Sequence, residues 1–533
     1  MFSFPSGKLL PYLLFLVLLV TAACDGGDDP GSILPQRSTQ EARILQAVAQ
    51  LDEIVPDMME RSGIPGLAVA VVRGDEVLYA KGFGVRRVGS PEKVDADTVF
   101  AIASMSKPLG ATVVASQVSL GEVSWETPMS EVFPGFALSD PAATKQVTVG
   151  DLYAHRSGLP DHAGDTLEEL NFNRETILSR FHRLPAAPFR QEFNYTNYGM
   201  TAAAVAVAEQ AGTDWPSLAE RSLYQPLKMD STSSRFADFL ARSNRAPGHV
   251  KENGVFVVGP ERPPGTGEQR WSTGWNTDQQ SPSGGVSSSA ADLARWMSFV
   301  LASINRTSLL SEEAFTPAIT PQFTLYQAKN DQETSVSYGY GFFIDDLPTG
   351  ERILHHGGAF SWGTGTNVSL LPSADLGIVV LTNAWPTGVS EALCGRFMET
   401  VRLGAPQKDW YAYYAGALAT AYDPQGELAG LPRPDQPVLA RPLQDYLGSY
   451  QSPYHGTASV VTGSQGLELR LGPQGEVVFK LDHWDGDIFT FIPFNDATGP
   501  GSLSKAEFSG DTLVLEHYNN PKSNLQGLGV FTR

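Results

Sequence analysis

Two apolar hairpins that lie far apart in the chain constrain its fold more than any other feature. Leu67-Ala68-Val69-Ala70-Val71-Val72 runs into Arg73-Gly74-Asp75-Glu76 and is answered by Val77-Leu78-Tyr79-Ala80. The second pair is Thr366 to Leu371 and Leu376 to Leu381, with Pro372-Ser373-Ala374-Asp375 as the turn. Apolar, β-branched runs bounded by turn residues read as strands. A helical pattern from about Thr39 to Arg61 precedes the first hairpin, ended by the turn Gly63-Ile64-Pro65-Gly66, and another from about Val389 to Val401 follows the second. Helices dominate between them. Strands at both ends with helices between predict an α/β fold of the α+β kind: an antiparallel sheet flanked by helices, carrying an all-helical subdomain.

At 533 residues the chain exceeds one compact core, so at least two domains are expected. From about Arg441 the texture changes to short alternating segments, among them Leu467-Glu468-Leu469-Arg470-Leu471 and Val477-Val478-Phe479-Lys480-Leu481. These predict a small all-β barrel or sandwich over 440–533. The Pro-, Gly- and Tyr-rich stretch 404–439 reads as a linker, and 39–403 as the main domain. The formal net charge of -20 repels phosphate backbones, and no basic run with interleaved aromatics is present, which argues against nucleic-acid binding.

The N-terminus reads as an export signal over 1–24. Lys8 precedes the apolar run Leu9 to Val20, which is short for a bilayer span, and Thr21-Ala22-Ala23-Cys24 follows. Small residues before a Cys resemble a bacterial lipobox, in which the Cys is lipidated. Cys24 is therefore expected to anchor the protein to a membrane, facing the periplasm or cell exterior, with simple secretion as the alternative. Residues 25–38, rich in Gly, Asp and Pro, read as a tether. The other cysteine, Cys394, is expected to be a buried small residue on a helix.

Three motifs carry chemistry. In Ser104-Met105-Ser106-Lys107-Pro108, spacing of three puts Ser104 and Lys107 on one helical face. A Ser in the first turn also lies where free backbone N–H groups favour negative charge. Lys107 could take the Ser104 proton once its own pKa is depressed. Ser90-x-x-Lys93 and Ser502-x-x-Lys505 share the spacing, yet neither opens a long apolar helix. Tyr195-Thr196-Asn197 supplies a phenol that could act as base and an amide that could bind Lys107 and a substrate carbonyl; Tyr518-Asn519-Asn520 has the same spacing. His355-His356-Gly357-Gly358-Ala359 leads toward the second hairpin, and its glycines allow close approach of a substrate to a strand. Adjacent histidines do not readily ligate one ion, and no ligand cluster accompanies them, so no metal and no cofactor are implied.

Taken together and in this order, the motifs resemble those of the serine β-lactamase and penicillin-binding-protein superfamily, specifically its class C-like branch. That branch holds class C β-lactamases, D-alanyl-D-alanine carboxypeptidases, D-aminopeptidases and family VIII esterases. Further stretches that resemble it are Leu152 to Pro160, Tyr224 to Met229, Gly284 to Ala294 and Tyr338 to Gly341. The resemblance implies that Ser104 is the nucleophile, that Lys107 and Tyr195 share the base role, and that Asn197 positions substrate. It puts His356, with Gly357 and Gly358, in the third motif, and makes Ala359 an oxyanion donor beside Ser104. His355 also satisfies His-x-Gly. An imidazole in place of the usual lysine binds a carboxylate more weakly, which points away from efficient β-lactam turnover. The C-terminal region resembles the lipocalin-like domain of some members. The expected activity is acyl-enzyme hydrolysis of a small ester, a D-amino-acid peptide or a β-lactam. A penicillin-recognising sensor with little turnover is the alternative.

Overall fold

The computed structural model describes residues 33–259, 276–306, 310–421, 423–493, 498–499, 501–520 and 525–533. Cys24 and the export signal lie outside the described residues. The predicted strands form, at Gly66–Arg73, Glu76–Gly84, Thr364–Leu371 and Leu376–Thr382. They join Arg352–Phe360, Phe343–Asp346, Ser335–Tyr338 and Phe323–Tyr326 in one eight-stranded antiparallel sheet. Its centre pairs the two chain ends, with Val69 opposite Val380 and Val71 opposite Ile378. Alternation along these strands feeds two cores. Ala68, Ala70, Val379 and Leu381 face the helical subdomain. Val69, Val71, Ile378 and Val380 face the terminal helices.

The N-terminal helical stretch is two helices, Ile33–Ala49 and Leu51–Ser62, so helix begins inside the segment read as a tether. The expected linker also holds structure: Trp410–Leu418 is a helix whose Trp410 and Tyr414 pack with Phe397 and Met398 of the helix Val389–Leu403. Cys394 is buried on that helix, its thiol donating to the Asn367 carbonyl. Among the described residues no helix is long and apolar enough to cross a membrane.

The C-terminal region is a closed eight-stranded barrel rather than a sandwich, each strand antiparallel to the next from Gly448–Ser452 round to Val530–Thr532. Closure leaves no free edge. The barrel sits on the helical subdomain. The Thr166 hydroxyl meets His455 Nε2 at 3.1 Å, and His517 Nε2 lies 2.9 Å from Glu169. Arg180 donates to the Tyr454 carbonyl and Arg183 to that of Pro453. Burial pushes His455 down to about 3, so it is neutral. Its Nδ1 then donates to the Leu528 carbonyl, leaving Nε2 to accept from Thr166.

Candidate active site

Ser104 occupies a single 3-10 turn, Ala103–Met105, that runs into the helix Ser106–Ser119. Ala103 holds a φ of 49°, a left-handed conformation costing a non-glycine residue about 1 kcal/mol or more. Neighbours fix this kink: Ser106 donates to the Ala103 carbonyl at 2.6 Å and accepts from Val286 N–H at 3.0 Å. Ser104 remains partly exposed while the residues on either side are buried.

One turn on, Lys107 is fully buried (0 % exposed). Its Nζ is 2.7 Å from Asn197 Oδ1, 2.9 Å from the Ser283 carbonyl and 3.1 Å from Ser104 Oγ. Burial drives the ammonium well below its ordinary range, against the opposing charge of Asp165. A neutral amine has two N–H donors and one lone pair. Asn197 Oδ1 and the Ser283 carbonyl can only accept, so they take the donors and the lone pair is left for the Ser104 hydroxyl. Tyr195 completes the group: Ser104 acts on its phenol, and its ring centre is 4.5 Å from Lys107 Nζ. Burial pushes the Tyr195 phenol up despite the Ser104 bond, so it stays protonated around neutrality.

The third motif lies on the strand Arg352–Phe360. That strand pairs with Phe343–Asp346 only through Arg352 to His355. Beyond His355, among the described residues, this edge carries no strand and runs past the Ser104 turn. Gly358 makes the approach possible. A Cβ there would lie 2.2 Å from the Ile102 carbonyl and 2.5 Å from Thr366 Oγ1. Alternation along the strand separates the histidines. His355 faces Asp345 at 3.3 Å on the far side of the sheet, whereas His356 meets the Tyr338 hydroxyl at 3.1 Å on the catalytic side. His356 therefore takes the third-motif place. It is buried, its Nδ1 is 2.7 Å from the Gly357 carbonyl, and burial together with Lys107 holds it well below its ordinary value. Its neutral form is favoured, and both ring nitrogens have partners within the protein.

Two histidines the motifs did not single out also belong here. His155 is buried and accepts the Thr196 N–H at Nδ1, with its ring 4.6 Å from that of Tyr195. His162 donates its backbone N–H to the Tyr195 carbonyl, and its ring lies between Asp165 at 2.9 Å and Asp161 at 3.7 Å. Burial disfavours its charge, but the two carboxylates outweigh that and push it up to about 9. Only the stretch containing His155 stood out in the sequence; His162 shows itself through its flanking carboxylates in space. A histidine raised in this way stabilises the fold below its ordinary value of 6.5, and that contribution is lost as pH rises through about 9. Thermal unfolding should accordingly show a melting temperature that falls across this window, and His162→Gln should remove that fall. An unchanged profile in the variant would put the stabilising charge elsewhere.

The sequence profile of the family described as Beta-lactamase matches residues 51–401, about two thirds of the chain and all three motifs. The chain belongs to the Beta-lactamase family. It is thereby placed in the serine β-lactamase and penicillin-binding-protein superfamily, a family of serine hydrolases. A second profile, a domain of unknown function, DUF3471, matches residues 432–509 within and just before the barrel. Among curated relatives, "Unguisins hydrolase ungD" of Aspergillus violaceofuscus is 25% identical over 494 residues, covering 83% of this chain and 84% of that protein. "Protein flp" of Staphylococcus aureus is 21% identical over 341 residues, covering 63% of this chain and 62% of its own. The octameric penicillin-binding protein homologue from Pyrococcus abyssi shares the fold with a TM-score of 0.58 at 19% identity, over 88% of this chain and 98% of that one.

Proposed function

We propose that this family member hydrolyses a small ester or a D-amino-acid peptide through an acyl-enzyme on Ser104. The observation that carries the reading is the Lys107 amine, fully buried, with two obligate acceptors holding its N–H groups and Ser104 Oγ 3.1 Å away. Lys107 takes the Ser104 proton as Oγ attacks the carbonyl carbon. The oxyanion forms against the backbone N–H groups of Ser104 and Ala359. Tyr195, protonated at rest, passes a proton to the leaving group, and water then releases the acyl group by the reverse relay. Asn197 keeps the amine in place. With the neutral form of His356 favoured and both its ring nitrogens partnered, the third motif offers no cation for a substrate carboxylate, which favours esters and peptides over β-lactams. The word hydrolase in the name of one relative agrees with turnover rather than sensing.

Intact mass spectrometry of the soluble chain from Asp25 onward, mixed in turn with an activated ester, a D-amino-acid peptide or a β-lactam, tests this. A transient acyl adduct is expected, absent from Ser104→Ala. A permanent adduct would make the protein a sensor instead, and no adduct or product with any of the three substrate classes would refute the reading.

We further propose that the protein is exported and anchored through lipid on Cys24. Membrane-fraction mass spectrometry should find a diacylglyceryl-modified Cys24 as the first residue. A soluble chain with Cys24 unmodified or cleaved away would refute the anchor.

A further inference from the structure

A cavity lies on the side of the sheet opposite Ser104, between the strands carrying Asp345, His355 and Asn367 and the helices Val389–Leu403 and Trp410–Leu418. Its volume is about 60 Å³. Its walls combine three carboxylates, Asp345, Glu391 and Glu399, with the rings of Trp410 and Tyr414. All five side chains are at least nine-tenths buried. The catalytic mechanism uses none of them.

Carboxylates rarely lie this deep without a partner, because taking an unpaired charge out of water is costly. Part of the demand is met internally. Glu399 Oε2 accepts the Gln407 N–H at 2.7 Å and Trp410 Nε1–H at 2.8 Å, and Glu391 Oε2 accepts from Ser390. Asp345 faces His355 at 3.3 Å. Arg402 borders the cavity, but its Nε is held by Glu351 at 2.8 Å and its Nη2 by Thr349. Among the described residues Glu399 Oε1 has no hydrogen-bond partner, in a residue 2 % exposed; the Lys408 ammonium, 4.2 Å from the Trp410 ring centre, acts on Glu399 only through its charge.

We propose that this cavity binds a small primary alkylammonium ion, its N–H groups donating to Glu399 Oε1 and the neighbouring carboxylates and its short apolar body lying against Trp410 and Tyr414. Buried carboxylates beside aromatic rings are the wall chemistry that suits an organic monocation. A divalent metal suits it less: among the described residues, no three Asp, Glu, His or Cys side chains converge as metal ligands would. The rings are also pre-arranged, with Trp410 and Tyr414 stacked at 5.8 Å and Gly395 leaving room for the indole, since a Cβ there would lie 2.6 Å from it. His355 lines this cavity while His356, next on the same strand, faces Ser104's side, so one strand separates the cavity from the catalytic residues.

The test uses the full mature protein with propylammonium chloride as probe, against sodium chloride at matched ionic strength. A saturable rise in melting temperature specific to propylammonium is expected, with affinity reduced about tenfold or more in Glu399→Gln, since one charge-assisted hydrogen bond is lost. Asp345→Asn serves as a second variant should the first fold poorly. A crystal soaked with 2-bromoethylammonium should place the bromine anomalous peak between Trp410 and the carboxylates. No saturable effect, equal affinity in both variants, or only ordered water at Glu399 Oε1 with bromine elsewhere would overturn the proposal.

Discussion

Lys107→Arg lowers kcat/KM for acyl transfer by about three orders of magnitude or more, and Lys107→Met does the same. The two variants fail for different reasons, which makes the pair informative. Methionine fills the same buried volume without a base. Arginine keeps a charge but cannot lose its proton, and it must fit a planar group where Asn197 and the Ser283 carbonyl hold a single nitrogen. The sign of the pH dependence follows from the same burial. The unprotonated amine is the active form, and burial pulls its pKa down. Acylation should therefore rise with pH through that depressed value and level off above it. Tyr195, pushed up by burial, should not supply the acidic limb. Single-turnover rates against pH for the parent and for Tyr195→Phe check this. An acidic limb that vanishes in Tyr195→Phe while the plateau survives would transfer the base role to the phenol.

Gly358→Ala is the second large effect, expected to lower kcat about a hundredfold with less change in KM, and to lower the melting temperature. The added Cβ would stand 2.2 Å from the Ile102 carbonyl and 3.0 Å from Met105 N, both backbone atoms of the segment holding Ser104. Neither can swing aside as a side chain would. Ile102 is pinned by its own N–H to Val286 and by Thr366 Oγ1 at 2.9 Å on its carbonyl. The strand and the turn must separate, and with them the N–H groups of Ala359 and Ser104 that the oxyanion needs together. Acyl-adduct formation measured alongside thermal unfolding separates this from general destabilisation. A parent-like acylation rate in a folded variant would show that the strand yields away from Ser104 and that Ala359 is dispensable.

Much of this was legible in the chain itself. The two hairpins announced themselves through apolar runs bounded by turn residues, and the central strands Gly66–Arg73 and Leu376–Thr382 stay apolar because both faces of the sheet centre are covered. The strands Phe323–Tyr326, Ser335–Tyr338 and Phe343–Asp346 did not. They are four residues each and partly polar, and they hold their shape through pairing rather than propensity. The barrel was legible as strands, but Ser504–Ser509 and Val530–Thr532 were missed, and without them closure could not be inferred. The helix Trp410–Leu418 was hidden by its Tyr-rich composition and by the Pro and Gly around it.

The sequence by itself determined that Ser104 and Lys107 lie together, because a spacing of three at a helix start puts both on one side in any surroundings. That Tyr195 and Asn197 join them was implied by the order of the motifs and their resemblance to a family, since about 90 residues separate the two segments and only the packing of the fold brings them together. Tertiary structure decided that Lys107 is stripped of water, which drives its ammonium well below its ordinary range, that His355 and His356 face opposite sides of the sheet, and that a carboxylate-lined cavity lies behind it. A lysine's charge depends on how much water the rest of the fold removes, and a histidine's face depends on strand register, where a shift of one residue reverses every side chain.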